Sequence, residues 1–68
     1  MADKVFKIVQ VVGTSEKSFE DAVKGAVRRA SKTLDELAWF EVVEERGRIG
    51  DGDKLEYQVK LDIAFKLH

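Results

Sequence analysis

The sequence predicts an α+β fold with its elements in the order β-α-β-β, and three features support this prediction. A segment rich in Val, Ile and Phe opens the chain, and a segment with helical apolar spacing follows it. The rest of the chain consists of two long extended segments separated by a short glycine-containing turn. The 68 residues are enough for one domain, residues 1–68, and leave no room for a second.

The first strand and the helix are predicted from a change in apolar period. A strand is expected from Lys4 to Val12, ended by the following Gly-Thr-Ser. From Phe19 to Leu34 the apolar residues recur at i, i+3, i+4 and i+7, which predicts a helix with one apolar stripe and Ser18 as its N-cap. Glycine inside a helix is less favourable than alanine by about 1 kcal/mol, so we expect Gly25 to permit a close approach by a neighbouring backbone.

Two long strands, about Ala38 to Arg48 and Leu55 to Leu67, are predicted to form a hairpin around the turn at residues 50–53. A turn centred on Asp51-Gly52 pairs Phe40 with Ile63, Val42 with Leu61 and Glu44 with Val59. Phe40 and Val42 then share an apolar face that the helix covers. The opposite face is predicted to collect Trp39, Glu41, Val43, Glu45, Gln58, Lys60 and Ala64.

The composition favours self-association and argues against several function classes. A core this small seldom stabilises a fold alone, and short chains compensate with disulfides, a metal or association. The chain has no cysteine and its one histidine is His68, so we expect neither disulfides nor a histidine-rich or thiolate metal site. Twelve basic residues nearly balance thirteen acidic ones, which argues against a nucleic-acid partner. We also expect no membrane span, no signal peptide and a cytoplasmic location.

Trp39 is the residue that most needs an explanation, because the predicted strand parity places it on the polar face. An indole left in water there would waste a large apolar surface. One interpretation is that Trp39 packs in a subunit interface; the other is that it is a stacking platform for a planar aromatic ligand. Gln58 lies on the same predicted face, and its amide has donors and an acceptor that match the edge of a ring such as the flavin pyrimidine.

The remaining polar residues do not form a catalytic constellation. Ser18 has no histidine near it in the sequence to act as a base and is best explained as a cap. The carboxylates of strand two (Glu41, Glu44 and Glu45) fit a solvated surface better than acid–base or metal chemistry. Three cationic residues are open to either a phosphate-binding or an ordinary surface role. They are Arg46, Arg48 and Lys66.

Taken together, several segments resemble the dodecin family. In the first half of the chain they are Val12-Gly13-Thr14-Ser15, Ser18-Phe19-Glu20-Asp21-Ala22 and Ala30-Ser31-Lys32-Thr33-Leu34. In the second half they are Trp39-Phe40-Glu41-Val42, Glu45-Arg46-Gly47-Arg48-Ile49, Tyr57-Gln58-Val59-Lys60-Leu61 and Phe65-Lys66-Leu67. The resemblance covers essentially the whole chain without an insertion.

This resemblance implies a three-stranded antiparallel sheet curled around one helix, with twelve subunits in a hollow shell. It implies flavins bound in pairs at two-fold interfaces, each ring lying between a tryptophan and a second flavin. Trp39 matches that tryptophan, and Gln58 matches the glutamine that hydrogen-bonds the pyrimidine part of the ring. Arg46 and Lys66 fall where bacterial members have basic residues that contact a flavin phosphate, which favours FMN, with riboflavin or FAD as alternatives. The unbulged register puts Arg46 on the helix side, so its role requires a bulge or an interface crossing.

The expected function is therefore non-catalytic storage and buffering of flavin, with Trp39 quenching the photoexcited ring. Three alternatives are a flavin enzyme, a structural or interaction homo-oligomer without flavin, and an ion-binding shell. The last would place Glu41, Glu45 and Asp62 along symmetry axes.

Overall fold

The computed structural model describes residues 3–68 and has the predicted β-α-β-β order. Its elements are β1 (Phe6–Ser15), α1 (Phe19–Ala30), β2 (Leu37–Ile49), a single 3-10 turn (Asp51–Asp53) and β3 (Leu55–Lys66). The strands form one antiparallel sheet in the spatial order β1-β3-β2, so the C-terminal strand is the central one. The predicted α+β fold is confirmed. Within residues 3–68 there is no helix of the length and apolar character that crossing a membrane requires.

Two predicted boundaries are wrong, and backbone pairing explains the first. Strand β1 does not end at Val12, because Gly13, Thr14 and Ser15 continue the ladder with β3. Helix α1 ends at Ala30 rather than at Leu34. The apolar spacing continues beyond the helix because the following turn still packs beside it, with the Leu34 N–H bonded to the Ala30 carbonyl at 2.9 Å.

The start of α1 is fixed by side-chain capping. The Ser18 hydroxyl accepts a hydrogen bond from the Asp21 N–H at 2.9 Å, as an N-cap does. The Asp21 carboxylate does not return to the Ser18 N–H; it accepts a hydrogen bond from the Ser15 hydroxyl at 2.7 Å. The Ser15 oxygen in turn accepts the Lys17 N–H at 2.9 Å. The last residue of β1 therefore ties the strand to the helix that follows it.

One face of β3 supplies most of the core beneath α1. Val59, Leu61 and Ile63 are fully or almost fully buried, together with Ala22 of the helix. The helix packs mainly over β1 and β3 and leaves β2 uncovered. Phe40 and Val42 therefore do lie on the helix side of the sheet, but at 48% and 47% exposure the helix does not cover them as predicted.

Strand β2 contains two register irregularities, and one of them corrects the predicted pairing. Phe40 is opposite Ile63 and Val42 is opposite Leu61, as predicted. The predicted pairing of Glu44 with Val59 is wrong, because an irregularity between Val42 and Glu44 places Glu44 opposite Lys60. One extra residue exchanges the two faces of every position that follows it.

The bulge changes which β2 side chains lie on each face. Beyond it, Glu45 is opposite Val59 on the helix side, whereas the prediction placed Glu45 on the other face. Arg46 is opposite Gln58, on the face away from the helix. We call this second face the outer face; its β3 residues are Glu56, Gln58, Lys60, Asp62, Ala64 and Lys66.

The close backbone approach expected at Gly25 occurs instead at Gly13. A Cβ atom added to Gly25 would have no heavy-atom neighbour within 4 Å among the described residues. A Cβ added to Gly13 would overlap the Ala22 carbonyl oxygen and lie 2.9 Å from the Cβ of Ala26. The absence of a side chain at Gly13 therefore allows α1 to lie directly on β1.

We predict that Gly13→Ala strongly destabilises the protein and that Gly25→Ala does not. The first change forces the helix away from the sheet, and overpacking that shifts the backbone costs about 1–3 kcal/mol and occasionally more. The second replaces a poor helix residue with the best one, a gain of up to about 1 kcal/mol. Thermal midpoints measured at one subunit concentration test both, and equal midpoints for the two variants would contradict the proposed contact.

Candidate functional site

Trp39 lies on the outer face near the start of β2, where the sequence places it. It is opposite Ala64 of the central strand, and 45% of its surface is exposed. Ala64 itself is fully buried, so its side chain is already covered on this face of the sheet. The indole therefore presents a partly uncovered flat surface on the side of the sheet away from the helix.

A second aromatic residue, which the sequence analysis did not select, supports this indole. The rings of Phe6 and Trp39 have centroids 4.9 Å apart and an interplanar angle of 59°. Phe6 is on β1 opposite Lys66, so the two rings meet across β3. Strand parity in β1 could have placed Phe6 on this face, but the strand order β1-β3-β2 was needed to bring it beside Trp39.

Gln58 lies on the same face toward the other end of β3, between two charged side chains. Arg46 Nε donates a hydrogen bond to Gln58 Oε1 at 2.6 Å. Gln58 Nε2 donates to Glu56 Oε1 at 2.8 Å. The bulge in β2 makes the first contact possible, because it places Arg46 directly opposite Gln58. Glu56 is not among the residues predicted from the sequence, although its i, i+2 spacing from Gln58 on one strand places both on the same face.

The predicted site residues form two separate groups within one subunit. Lys66 is opposite Phe6, which packs on Trp39, so these residues share one end of the outer face. Gln58 and Arg46 share the other end. Ala64, the β3 residue opposite Trp39, is six residues beyond Gln58 along the same strand. This separation is about 20 Å in an extended strand. A tricyclic ring is much shorter than this, so it cannot contact Trp39 and Gln58 of the same subunit together.

The middle of the outer face contains short polar contacts. The Lys60 ammonium and the Glu44 carboxylate are 3.7 Å apart, and Gln10 Nε2 donates to Asp62 Oδ1 at 2.9 Å. Glu41 is directly opposite Asp62. Of the three carboxylates considered for an ion-binding shell, Glu45 lies on the opposite face. Across residues 3–68, no cluster of three or more Asp, Glu or His side chains is close enough to hold a metal ion.

The chain is thus a small α+β protein with an open sheet face that carries a supported indole, an arrangement typical of a binding protein. A family model described as Dodecin matches residues 5–68. The chain belongs to the dodecin family, a family of small binding proteins.

Known relatives agree with this assignment over almost their whole length. The dodecin of Thermus thermophilus is 53% identical over 64 residues, which is 94% of this chain and 93% of the relative. A crystal structure from the same organism, 52% identical, superposes with a TM-score of 0.90 and covers 97% of each chain. The dodecin of Streptomyces davaonensis is 37% identical, with a TM-score of 0.92 over 98% of each chain. The calcium dodecin of Mycobacterium tuberculosis is 33% identical over 93% of this chain and 89% of the relative.

We predict that Phe6→Ala exposes and loosens the indole of Trp39. Loss of the aromatic contact removes about 1 kcal/mol of packing and leaves one side of the ring in water. Because Trp39 is the only tryptophan in the sequence, its emission maximum should shift to the red and its anisotropy should fall. Phe40→Ala is the matched control, since Phe40 is adjacent in sequence but on the helix side. An identical shift in both variants would contradict the contact.

Proposed function

We propose that this protein binds, stores and buffers flavin without catalysing a reaction, and that FMN is the preferred flavin. The observation on which the proposal depends is the exposed indole of Trp39 on the outer face, supported by Phe6. A monomer gains nothing from an uncovered tryptophan, whereas a stacked planar ligand would bury its surface.

The separation of Trp39 from Gln58 supports a site shared between subunits. If both residues bind one ring, the Trp39 end of one subunit must meet the Gln58 end of another. The same meeting would bring together Lys66 of one group and Arg46 of the other. Two cations on one ligand favour a phosphate-bearing flavin, so FMN is preferred over riboflavin.

The surface of the subunit supports the association that this site needs. Ten large apolar residues of the described chain are 44% or more exposed, including Phe40, Val43 and Ile49 on β2. The subunit is also elongated, with extents of 57 × 20 × 14 Å, so the β2–β3 hairpin is not protected by the helix along its length. Following the family resemblance, we propose that twelve copies cover these surfaces by forming a hollow homododecamer in the cytoplasm.

Storage and photoprotection follow from stacking a flavin on Trp39. A bound flavin would supply the light absorption, and the indole of Trp39 would be the electron donor that quenches the excited ring and is restored when the electron returns. This quenching requires no residue to exchange a proton with the ligand. Gln58 orients the ring edge, and Arg46 and Lys66 hold the phosphate.

A calcium-binding role is the second candidate, because one relative is a calcium dodecin. In this chain the facing pair Glu41 and Asp62 is the place where subunits could combine carboxylates. Calcium binding that is lost in Glu41→Gln but leaves FMN binding unchanged would support this second role.

We predict that FMN fluorescence is strongly quenched on titration with the protein and that Trp39→Ala abolishes the quenching. Stacking on an aromatic residue contributes about 1–3 kcal/mol, so the Kd for FMN should rise about 5-fold to 150-fold. Trp39→Phe is the matched control, because it retains a stacking surface but is a poorer electron donor. It should bind more tightly than Trp39→Ala and quench less than the parent. A Trp39→Ala protein that binds and quenches like the parent would disprove the proposed site.

We further predict that two variants, each weakened at a different end of the shared site, complement each other when they are assembled together. Trp39→Ala subunits keep Gln58, and Gln58→Ala subunits keep Trp39. In mixed assemblies of equal amounts, about one quarter of the shared sites would contain both native residues. At an FMN concentration between the Kd of the parent and the weaker Kd of Gln58→Ala, unfolding and reassembling the mixture should therefore give more quenching than the two variants give when they are assembled separately. Quenching in verified mixed assemblies that does not exceed the sum from the separate variants would contradict a site that joins Trp39 of one subunit to Gln58 of another.

A further inference from the structure

The amide of Gln58 is held on both sides by charged groups, and the proposed function uses only its contact with the ligand. We infer that Arg46 and Glu56 are positioning residues that fix the direction of this amide. Because Glu56 fixes the direction of the Gln58 amide, the site prefers ligands whose ring edge presents an N–H next to a carbonyl. The inference rests on the proposed flavin site and names a determinant of its selectivity.

The chemistry of the two neighbours dictates which way the amide points. A guanidinium has only donors, so the group that Arg46 Nε contacts at 2.6 Å must be the amide oxygen. A carboxylate has only acceptors, so the group that contacts Glu56 Oε1 at 2.8 Å must be the amide nitrogen. Reversing the amide would oppose donor to donor at Arg46 and acceptor to acceptor at Glu56. Both contacts therefore enforce the same orientation.

The bulge in β2 places Arg46, a donor, beside the Gln58 amide, so that Arg46 and Glu56 favour the same orientation of that amide. In the register that precedes it, Phe40 is opposite Ile63 and Val42 is opposite Leu61. Continued without the bulge, that register would place Glu45 opposite Gln58. The amide would then lie between two carboxylates. Its nitrogen would either donate to both of them, which leaves no N–H for the ligand, or its oxygen would face one of them without a hydrogen bond. The extra residue replaces a carboxylate with a guanidinium at this position.

The oriented amide retains one free donor and one free acceptor. Its oxygen has a second lone pair, and its nitrogen has a second hydrogen that Glu56 does not use. These groups are adjacent and in a fixed order, so they match a ligand edge that presents N–H beside C=O. The pyrimidine edge of a flavin has this pattern. An amide that is free to rotate would also adopt the reversed orientation, in which donor faces donor and acceptor faces acceptor. The site would then distinguish less well between ligands with and without this N–H.

The test compares riboflavin with N3-methylriboflavin, in which the ring N–H is replaced. Riboflavin is used because it has no phosphate. Attraction between Arg46 and a phosphate therefore does not contribute to the measured Kd. The parent protein should bind riboflavin about tenfold more tightly than the methylated form, the effect of about one hydrogen bond. Gln58→Ala should bind both with similar Kd.

Two isosteric variants isolate the role of Glu56. Glu56→Met keeps the side-chain length but removes the acceptor, so the preference for riboflavin should fall to about threefold or less. Glu56→Gln retains an acceptor oxygen and should keep the preference within about twofold of the parent. Glu44→Met removes another carboxylate of the outer face, one paired with Lys60, and should leave the preference unchanged.

Each outcome is decisive. A parent-like preference in Glu56→Met, or a parent that binds both flavins equally, would overturn the inference while leaving flavin binding in place. A parent that binds neither flavin would instead overturn the proposed function, and the inference with it. If Glu56→Met failed to assemble, a comparison of Glu56→Gln with Glu56→Ala would serve the same purpose.

Discussion

The β-bulge between Val42 and Glu44 is the constraint on which the outer face depends. One residue beyond a regular ladder turns the second half of β2 over, so that Arg46 is opposite Gln58 and Glu45 is on the helix side. The same strand can therefore present Trp39 and Arg46 on one face although they differ in parity. Without this residue, the aromatic and basic parts of the proposed site would lie on opposite sides of the sheet.

The distribution of burial explains why the subunit is suited to association rather than to an enclosed active site. Helix α1 is held close to β1 at Gly13 and covers β1 and β3, which leaves β2 beyond Leu37 as an exposed edge strand. Exposed apolar residues on an open strand edge are typical of a surface that another molecule covers. The supported indole of Trp39 belongs to this surface, and a ligand held there also contributes to its burial.

The dodecin relatives share this chain's length and fold, with TM-scores of 0.90 and 0.92 for two of the solved structures. What the structure adds is the division of the proposed site residues into an aromatic end with Phe6, Trp39 and Lys66, and a polar end with Gln58 and Arg46. A ligand site that needs both ends couples binding to assembly. Flavin affinity and the stability of the oligomer should then be linked properties.

The sequence alone determined the order of the elements, the N-cap at Ser18, the hairpin and the outward direction of Trp39, because these depend on local periodicity and capping. It also determined the partners of Phe40 and Val42. Only the tertiary structure decided the faces of Glu45 and Arg46, because a bulge changes the register without a distinct local pattern. It likewise identified Phe6 and Glu56 and the close approach at Gly13, because contacts between strands distant in sequence depend on strand order, which periodicity does not encode.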